Sequence, residues 1–595
     1  MLNANNILCR LFFMKLNKII SKKGKNHIMK NKIRLSLTIT ILISALYLSA
    51  ATVYVSKTGA NVPPYDTWTK ASTTIQAAVT ASGPDDTILI GDGTYYPTNQ
   101  IEIRDNRIVI SANGREKVVV DGSATNRCFY LYNNSTISGL TISNCNYYNY
   151  GGAVFVDHGT VSNCFFTHNS AGNWGGAIYI DAGIVQDSIF NYNSLSGDKG
   201  GAIVLFTGSL IRNCSFSYNS STNYGGAVCC YNGGIVENCS FTRNSANSSK
   251  GGAVYCYKGG EFSNCTFDLN HSGSYGGAAY CYLDGKFISC TFNTNYSLGN
   301  GGAIYLKEGG TLTNCVINKS SANGFGGGVY SVGDGKLQNC TLFDNYTDEH
   351  GGGIFISGGT IDNCDIIDND SAGFAAGIYC KDGTIVQDCL IAENWAVESG
   401  GGVYIETPCT FRKNILSNNF AKSGGGIMLR IDALVENCLI NANRATQHGG
   451  GAYNYGATLQ NCTIVNNKSD WSGSGVYCYT GIVVNCILWN NNGENYFNTG
   501  SKNFYNCIDE WTDIQNGIIT NDPMFSSETD FHLLDGSLCL NSGTNLPGIS
   551  SQKDLDGNPR VVDGKVDMGC YQGAIPEPYY LLFIIYSLIF INRKN

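Results

Sequence analysis

The sequence has little charge and no metal-binding cysteine motif. Only 14% of its 595 residues are charged and no basic stripe is visible, which argues against a nucleic-acid binder. The 25 cysteines include no C-x-x-C spacing, so no zinc site is predicted. The 73 glycines lack a three-residue period, which excludes collagen. A hydrophobic content of 43% argues against intrinsic disorder.

Both ends of the chain have the composition of targeting segments. Three basic residues after Met29 precede an apolar run over residues 35–48, and small residues follow it. This order predicts a secretory signal peptide, since the run is shorter than the ~20 residues that span a bilayer. At the other end, Pro576, Glu577 and Pro578 precede a second apolar run and two terminal basic residues. By hydropathy this is a short membrane-inserting tail.

The tail resembles the PEP-CTERM sorting signal of bacterial surface proteins in the order of its three parts. That resemblance implies recognition by an exosortase-type protease. It also implies delivery to the cell surface, outer membrane or extracellular matrix, with membrane contact only through the tail.

Without residues 1–51 and 576–595, the net charge falls from −8 to −18. Because residues 52–575 carry this negative charge, they have no general electrostatic attraction for polyanions.

Between the two ends, one short segment of the sequence is repeated many times. "GGAVYCYKGGEFSNCTFDLN" at residues 251–270 returns as "GGAIYLKEGGTLTNCVINKS" at residues 301–320. Alignment on the double glycine gives fourteen copies that start between residues 151 and 473, at a mean spacing of 24.8 residues. Hydrophobicity alternates with a period of two inside each copy, and no copy shows the 3.6-residue period of a helix. The pattern predicts an all-β fold: a single right-handed parallel β-helix, a solenoid of about 25 residues per coil with three short strands per coil.

One coil of a solenoid buries too little apolar surface to fold alone, so every coil needs neighbours. The two end coils expose unpaired strand edges, so the ends need caps. Residues 52–96 read as a strand, a short helix and a strand, with a capping box at Thr73 and Gln76. The predicted organisation is a leader at 1–51, an N-terminal cap and first coils at 52–150, repeats at 151–491, C-terminal coils and cap at 492–575, and the sorting tail at 576–595.

The alternation of "GGA[ILV]" with "FxxN" motifs resembles the polymorphic membrane protein (Pmp-like) β-helix repeat. "GGAV", "GGAI", "FTHN", "FNYN" and "FDLN" match it as written, over residues 151 to about 491. The resemblance implies a surface-exposed, adhesin-like body.

A row of aromatic residues is the strongest candidate for ligand contact. Position four of each copy lies between two inward positions and is mostly aromatic, so it is predicted to face outward. Stacked rings on a parallel sheet suit the apolar faces of sugars. The alternative is that tyrosine favours strands and packs on its own neighbours. The candidate ligand-binding residues are Tyr255, Tyr280, Tyr305, Tyr330, Tyr379 and Tyr404.

A cluster of acids supports a different hypothesis. "DNCDIIDND" holds four aspartates, and parallel β-helices also house polysaccharide lyases and glycoside hydrolases. Adjacent coils could hold two carboxyls at the ~6.5–9.5 Å that an inverting glycosidase uses. The galacturonase-type motifs and a nearby arginine are absent, so solvated loop acids are the plainer interpretation. The candidates are Asp362, Asp365, Asp368 and Asp370.

The recurring cysteines and a partial calcium-binding loop are the remaining candidates for a chemical role. One cysteine recurs per coil at an inward position, where parallel neighbours are too far apart for a relaxed disulfide, so a ladder of free thiols is expected. "DLDGN" at residues 554–558 is half of a calcium loop and more readily a turn. No cofactor and no metal-binding residue are therefore predicted, and Ca²⁺ is the one ion that stays open as an alternative.

The sequence as a whole favours an exported, surface-sorted β-helix that is non-catalytic and binds a polysaccharide or cell-surface glycan. Two alternatives stay open: a polysaccharide lyase or glycoside hydrolase of the pectate-lyase-like type, and a structural surface spacer.

Overall fold

The computed structural model describes residues 50–206, 208–500, 502–512 and 515–573. The predicted signal peptide and the sorting motif Pro576-Glu577-Pro578 lie outside these residues. Within them the chain is an all-β, right-handed parallel solenoid with almost no helix, which confirms the predicted fold class. The strands of each coil pair in parallel with those of the next, as Val254–Cys256 does with Ala279–Leu283.

One central coil shows how the sequence is laid out. Its strands are Val254–Cys256, Glu261–Ser263, Thr266–Asp268 and His271–Ser272. The next coil repeats them as Ala279–Leu283, Lys286–Ile288, Thr291–Asn293 and Tyr296–Ser297. In some coils the first two strands fuse into one nine-residue strand: Val154–Ser162, Ile178–Gln186, Ala452–Gln460 and Val476–Val484.

The prediction of three strands per coil is therefore corrected to four in most coils. The additional strand has two residues and follows the recurring asparagine. Together these strands build a 14-stranded sheet that runs from Asn146–Tyr147 to Lys468–Ser469. Two residues are too few to show an alternation of apolar and polar side chains, so the periodicity could not reveal this strand.

Stacks of identical side chains fill the solenoid. Phe166, Phe190, Phe216 and Phe241 are fully buried, and successive ring centroids lie 4.8 to 4.9 Å apart. That spacing matches the distance between neighbouring strands of a sheet. A deletion in any coil would therefore break several stacks at once.

A buried asparagine ladder ties the turns together. The Asn244 amide N–H donates to Asn270 Oδ1 (2.9 Å), and Asn270 Nδ2 donates to the Phe241 carbonyl of the preceding coil (2.9 Å). The pattern repeats from Asn169 to Asn491 with one interruption at Ser320. Each asparagine so satisfies turn groups that would otherwise be buried without a partner.

The cysteine that recurs once per coil forms the expected ladder of buried thiols, from Cys164 to Cys486. Twenty-two cysteines of the described chain are not part of a disulfide, and all are buried. Cys128 and Cys145 are joined in a disulfide that the sequence reasoning missed. Cys128 precedes the repeats and approaches the ladder from a different segment, so the parallel spacing does not constrain this pair.

The N-terminal cap is a strand and a short helix. The strand Thr52–Val55 pairs with Thr87–Ile90, and the helix Ile75–Ala81 buries Ile75, Ala78 and Val79. Thr74 caps this helix by accepting the Ala77 amide N–H at 3.3 Å. The capping box expected at Thr73 and Gln76 is thus wrong by one residue.

The C-terminal part first adds a coil and then turns along the side of the solenoid. Strands Tyr496–Asn498, Lys502–Phe504 and Cys507–Ile508 continue the ladders. Beyond them, Gln552 Nε2 donates to Glu436 Oε2 (2.8 Å), and the Cys570 amide donates to Thr463 Oγ1 (3.0 Å). We call residues 519–573 the C-terminal segment; it packs laterally on coils that precede it by up to 116 residues.

The C-terminal segment carries its own polar core. Asp554 of the "DLDGN" stretch is buried, and its carboxylate accepts the amides of Asn558 (2.6 Å) and Gln572 (2.8 Å). These bonds make the stretch a turn. Burial lowers the pKa of His532, but its bonds to Asp556 and Asp530 outweigh this and leave the pKa above the usual value.

Candidate functional site

The predicted tyrosine row points away from the core but is not open to solvent. Tyr255 is 6% exposed, Tyr280 1% and Tyr404 8%. Tyr379 is also buried, and Tyr305 and Tyr330 are half-buried. The ring stack is continuous, with centroids 5.5 Å apart for Tyr255 and Tyr280 and 5.1 Å for Tyr379 and Tyr404. This corrects the expected exposure: rings stacked at that spacing leave no room for a sugar between them.

Two flanking rows cover the tyrosines from either side. One row is the residue before the double glycine, such as Tyr224, whose ring lies 4.7 Å from that of Tyr255. The other row comes two positions after the tyrosine, such as Tyr257 and Tyr282. Together they form one cluster, which we call the aromatic face. Its half-buried members are Trp174, Tyr179, Phe206, Tyr224, Tyr231, Tyr257, Tyr275, Tyr282 and Tyr305.

The flanking rows are what the sequence reasoning missed. Tyr231, Tyr257 and Tyr282 follow one another with centroids 5.1 and 5.6 Å apart. Their recurrence two places beyond position four was visible in "VCCY", "VYCY" and "AYCY". These rings are half-buried, whereas Tyr255 and Tyr280 of the central row are buried, so the flanking row forms the accessible surface around these two coils.

Lysines are interleaved with the rings. Lys199 Nζ lies 5.2 Å from the Trp174 ring centroid, Lys250 Nζ 4.9 Å from that of Tyr280, and Lys307 Nζ 4.4 Å from that of Tyr282. Ammonium groups at such distances are attracted to the negative faces of the rings. Lys199 also pairs with Asp198, and burial followed by the charge of Lys307 lowers the pKa of Lys250.

Burial holds the hydroxyls of Tyr179, Tyr255 and Tyr280 in their protonated form at neutral pH. Burial, and then the charge of Asp181, raises the pKa of Tyr179 to about 12. Burial raises the pKa of Tyr255 and Tyr280 further. A neutral phenol both donates and accepts hydrogen bonds. The face therefore combines apolar rings, two-way hydroxyl groups and cations.

The four candidate acids do not converge on one point. Asp362 ends the strand Thr360–Asp362, Asp365 opens Asp365–Ile367 and Asp370 opens Asp370–Ser371. These strands belong to three different sheets of the solenoid. Asp368 occupies the turn between the last two, with φ of 54°.

Each acid has an ordinary local environment. Asp362 accepts hydrogen bonds from Gln387 Nε2 (2.9 Å) and Gln338 Nε2 (3.3 Å). Burial raises the pKa of Asp365. Burial, followed by the charges of Asp368 and Asp344, raises the pKa of Asp370. In the part of the chain that the structure describes, no three acids, histidines or cysteines are grouped so as to hold a metal ion.

Family models match the repeat region. The model of the Chlamydia polymorphic membrane protein repeat matches residues 163–181, 213–231 and 238–257. The model of the right handed beta helix region matches residues 277–430 and 327–509. No curated protein matches the chain. No helix in the described ranges has both the length and the apolar character of a membrane span.

Solved structures that resemble the chain include two polysaccharide lyases and a bacteriophage tailspike. A PL6 family alginate lyase mutant is 11% identical, with 74% of this chain and 81% of that chain covered and a TM-score of 0.33. A pectate lyase is 14% identical, with 88% and 97% covered and a TM-score of 0.25. The tailspike of Escherichia coli bacteriophage HK620, in complex with a pentasaccharide, is 11% identical, with 70% and 77% covered and a TM-score of 0.29. Similarity at this level assigns no residue and no substrate.

Proposed function

We propose that this right-handed β-helix repeat protein is an exported, surface-sorted, non-catalytic binder of a polysaccharide or cell-surface glycan. The observation that carries the proposal is the aromatic face, an accessible strip of rings, hydroxyls and lysines along one wall of the solenoid. A scattered set of surface aromatics would need no explanation, whereas a continuous patch marks an interaction surface.

The chemistry of the face suits a sugar chain. Sugars present C–H faces to aromatic side chains and hydroxyls to polar groups, and tyrosine offers an apolar ring with a polar tip. The rows run along the solenoid axis, so an extended polymer can contact the same residue type on successive coils. The buried central tyrosines support the flanking rows and do not themselves contact the ligand.

Export and surface sorting rest on the sequence. The signal-like segment before residue 52 and the Pro576-Glu577-Pro578 tail support them, with an exosortase-type protease as the sorting partner. The polymorphic membrane protein repeats point in the same direction. The separation of Asp362, Asp365 and Asp370 onto three sheets supports a binder in preference to a lyase or hydrolase.

Removing the accessible ring row is expected to weaken glycan binding without unfolding the protein. In the triple variant Tyr231→Ala, Tyr257→Ala and Tyr282→Ala, we expect affinity for the retained polysaccharide to fall about tenfold or more, or ~1.4 kcal/mol. Retardation in gels that contain starch, xylan, dextran, pectin or alginate measures this affinity. Circular dichroism confirms that the fold is kept.

The matched control is Tyr192→Ala with Tyr218→Ala. These rings also stack, at 5.0 Å, but they are exposed at a different corner of the solenoid. Equal loss in both variants, or no loss in the triple variant, would refute binding by the aromatic face. New reducing ends or unsaturated products that vanish in Asp365→Asn with Asp368→Asn would make the protein an enzyme. Neither retention nor product would leave a spacer.

A further inference from the structure

Cys507 is set apart from the cysteine ladder by its direction. It pairs in parallel register with Ile487, while its neighbour Ile508 pairs with Leu488. Leu488 and Ile508 belong to the main core inside the solenoid, whereas Ile487 and Cys507 belong to a separate cluster outside it. Because successive residues of a strand face opposite sides, Cys507 points outward.

Cys539 meets Cys507 from the C-terminal segment. Both side chains are fully buried in the outside cluster with Leu533 and Met568. The Cys539 backbone is fixed there, since its carbonyl accepts the Met568 amide at 3.0 Å and its amide donates to Ser537 Oγ at 3.2 Å. The Cys507 thiol donates to the Asn521 carbonyl oxygen at 3.3 Å, and the adjacent Cys539 thiol, followed by burial, raises the pKa of Cys507.

This geometry differs from that of the ladder thiols. Cysteines on in-register parallel strands are held one strand spacing apart with parallel Cα–Cβ directions, which a relaxed disulfide does not fit. Cys507 and Cys539 come from different segments that face each other. Cys128 and Cys145 meet in the same way at the other end of the solenoid, and that pair is already joined.

We propose that Cys507 and Cys539 are a second disulfide site, which fastens the C-terminal segment to the last coil. The oxidant is a disulfide-bearing protein or a small-molecule disulfide such as oxidised glutathione. A thiolate attacks the oxidant to give a mixed disulfide, and the second thiolate displaces the oxidant's remaining sulfur. One S–S bond forms in the protein, one breaks in the oxidant, and the two protons pass to the two released thiols.

The test maps the thiols of the full chain after oxidation. The reduced protein is treated with oxidised glutathione until Cys128 and Cys145 are joined, and free thiols are then alkylated with iodoacetamide in denaturant. A protease that cleaves after glutamate separates the two cysteines at Glu510 and Glu528. Mass spectrometry is expected to find the peptides of Cys507 and Cys539 joined, two hydrogens lighter than their sum, while Cys486 is alkylated.

Alkylation of both Cys507 and Cys539 would overturn the proposal, and so would a bond between Cys507 and the ladder residue Cys486. In Cys539→Ala, Cys507 is expected to be alkylated and not to pair elsewhere. Because the decisive result comes from the unaltered chain, it does not depend on how well the variant folds.

Discussion

Gly277→Ala is expected to prevent the central coils from folding, at a cost above about 4 kcal/mol. Gly277 is the second residue of a double glycine. A Cβ atom there would lie 2.0 Å from the Gly302 carbonyl oxygen and 2.7 Å from the Tyr296 backbone nitrogen and carbonyl carbon. These are backbone atoms of the next coil and of the strand Tyr296–Ser297 before it, and neither can move without breaking a ladder. Soluble yield and the urea midpoint followed by circular dichroism measure the effect.

The matched control is Gly383→Ala. Gly383 has φ of +79°, but a Cβ atom there would meet nothing within 4 Å. Only the strain of a left-handed residue remains, about 1–2 kcal/mol. Similar midpoints for the two variants would contradict the packing account of the double glycine.

The chain itself carries two exceptions to the double glycine, Ser474 after Gly473 and the pair Ala375 and Ala376. There the third residue is Gly377, whereas Gly277 is followed by Ala278. In the neighbouring coil, which has three successive glycines, the nearest atoms to a Cβ on Gly352 are 2.3 and 2.6 Å away, which is less tight than at Gly277. Alanine at the second position thus occurs where the third position is glycine.

Asn270→Ala is expected to lower the free energy of unfolding by about 3–5 kcal/mol. The substitution takes the acceptor from the Asn244 amide N–H (2.9 Å) and from Asn244 Nδ2 (3.1 Å). It also removes the donor to the Phe241 carbonyl (2.9 Å). All of these groups are buried, so water cannot replace the lost partner. Urea unfolding followed by circular dichroism gives the change in midpoint.

Asn270→Ser is the matched control, because the chain already places Ser320 in this ladder. Ser320 Oγ accepts the Asn295 amide at 3.3 Å. The serine variant should therefore keep the most important acceptor and lose about half as much stability as the alanine variant. If alanine costs no more than serine, the side-chain ladder does not stabilise the solenoid as described.

The fold could be predicted because the sequence pattern that determines it is local and repeats in every coil. A period near 25 residues, a two-residue alternation and one asparagine per turn determine the register of every coil. Structural features that depend on non-repeated contacts could not be predicted from this pattern. The pairing of Cys128 with Cys145 and the lateral packing of Gln552 on Glu436 depend on segments without a period.

For the candidate tyrosines, the sequence predicted the direction of the side chains but not their exposure to solvent. Alternation correctly gave Tyr255 and Tyr280 an outward direction. It could not show that in-register stacking, together with the flanking rows, hides them. In the same way, "DNCDIIDND" is dense in sequence, yet the two turns within it send Asp362, Asp365 and Asp370 to three sheets.

Hydroxyl-radical footprinting in the presence of the polysaccharide that retards the protein most tests the central claim directly. The oxidation rate of each tyrosine is measured by mass spectrometry with and without that polysaccharide. The account predicts slower oxidation of Tyr231, Tyr257 and Tyr282, with Tyr192 and Tyr346 unchanged. Tyr346 is exposed and pairs in register with Asp370, so it reports on the acidic coil. Protection of Tyr346 with no change at the aromatic face would contradict the account.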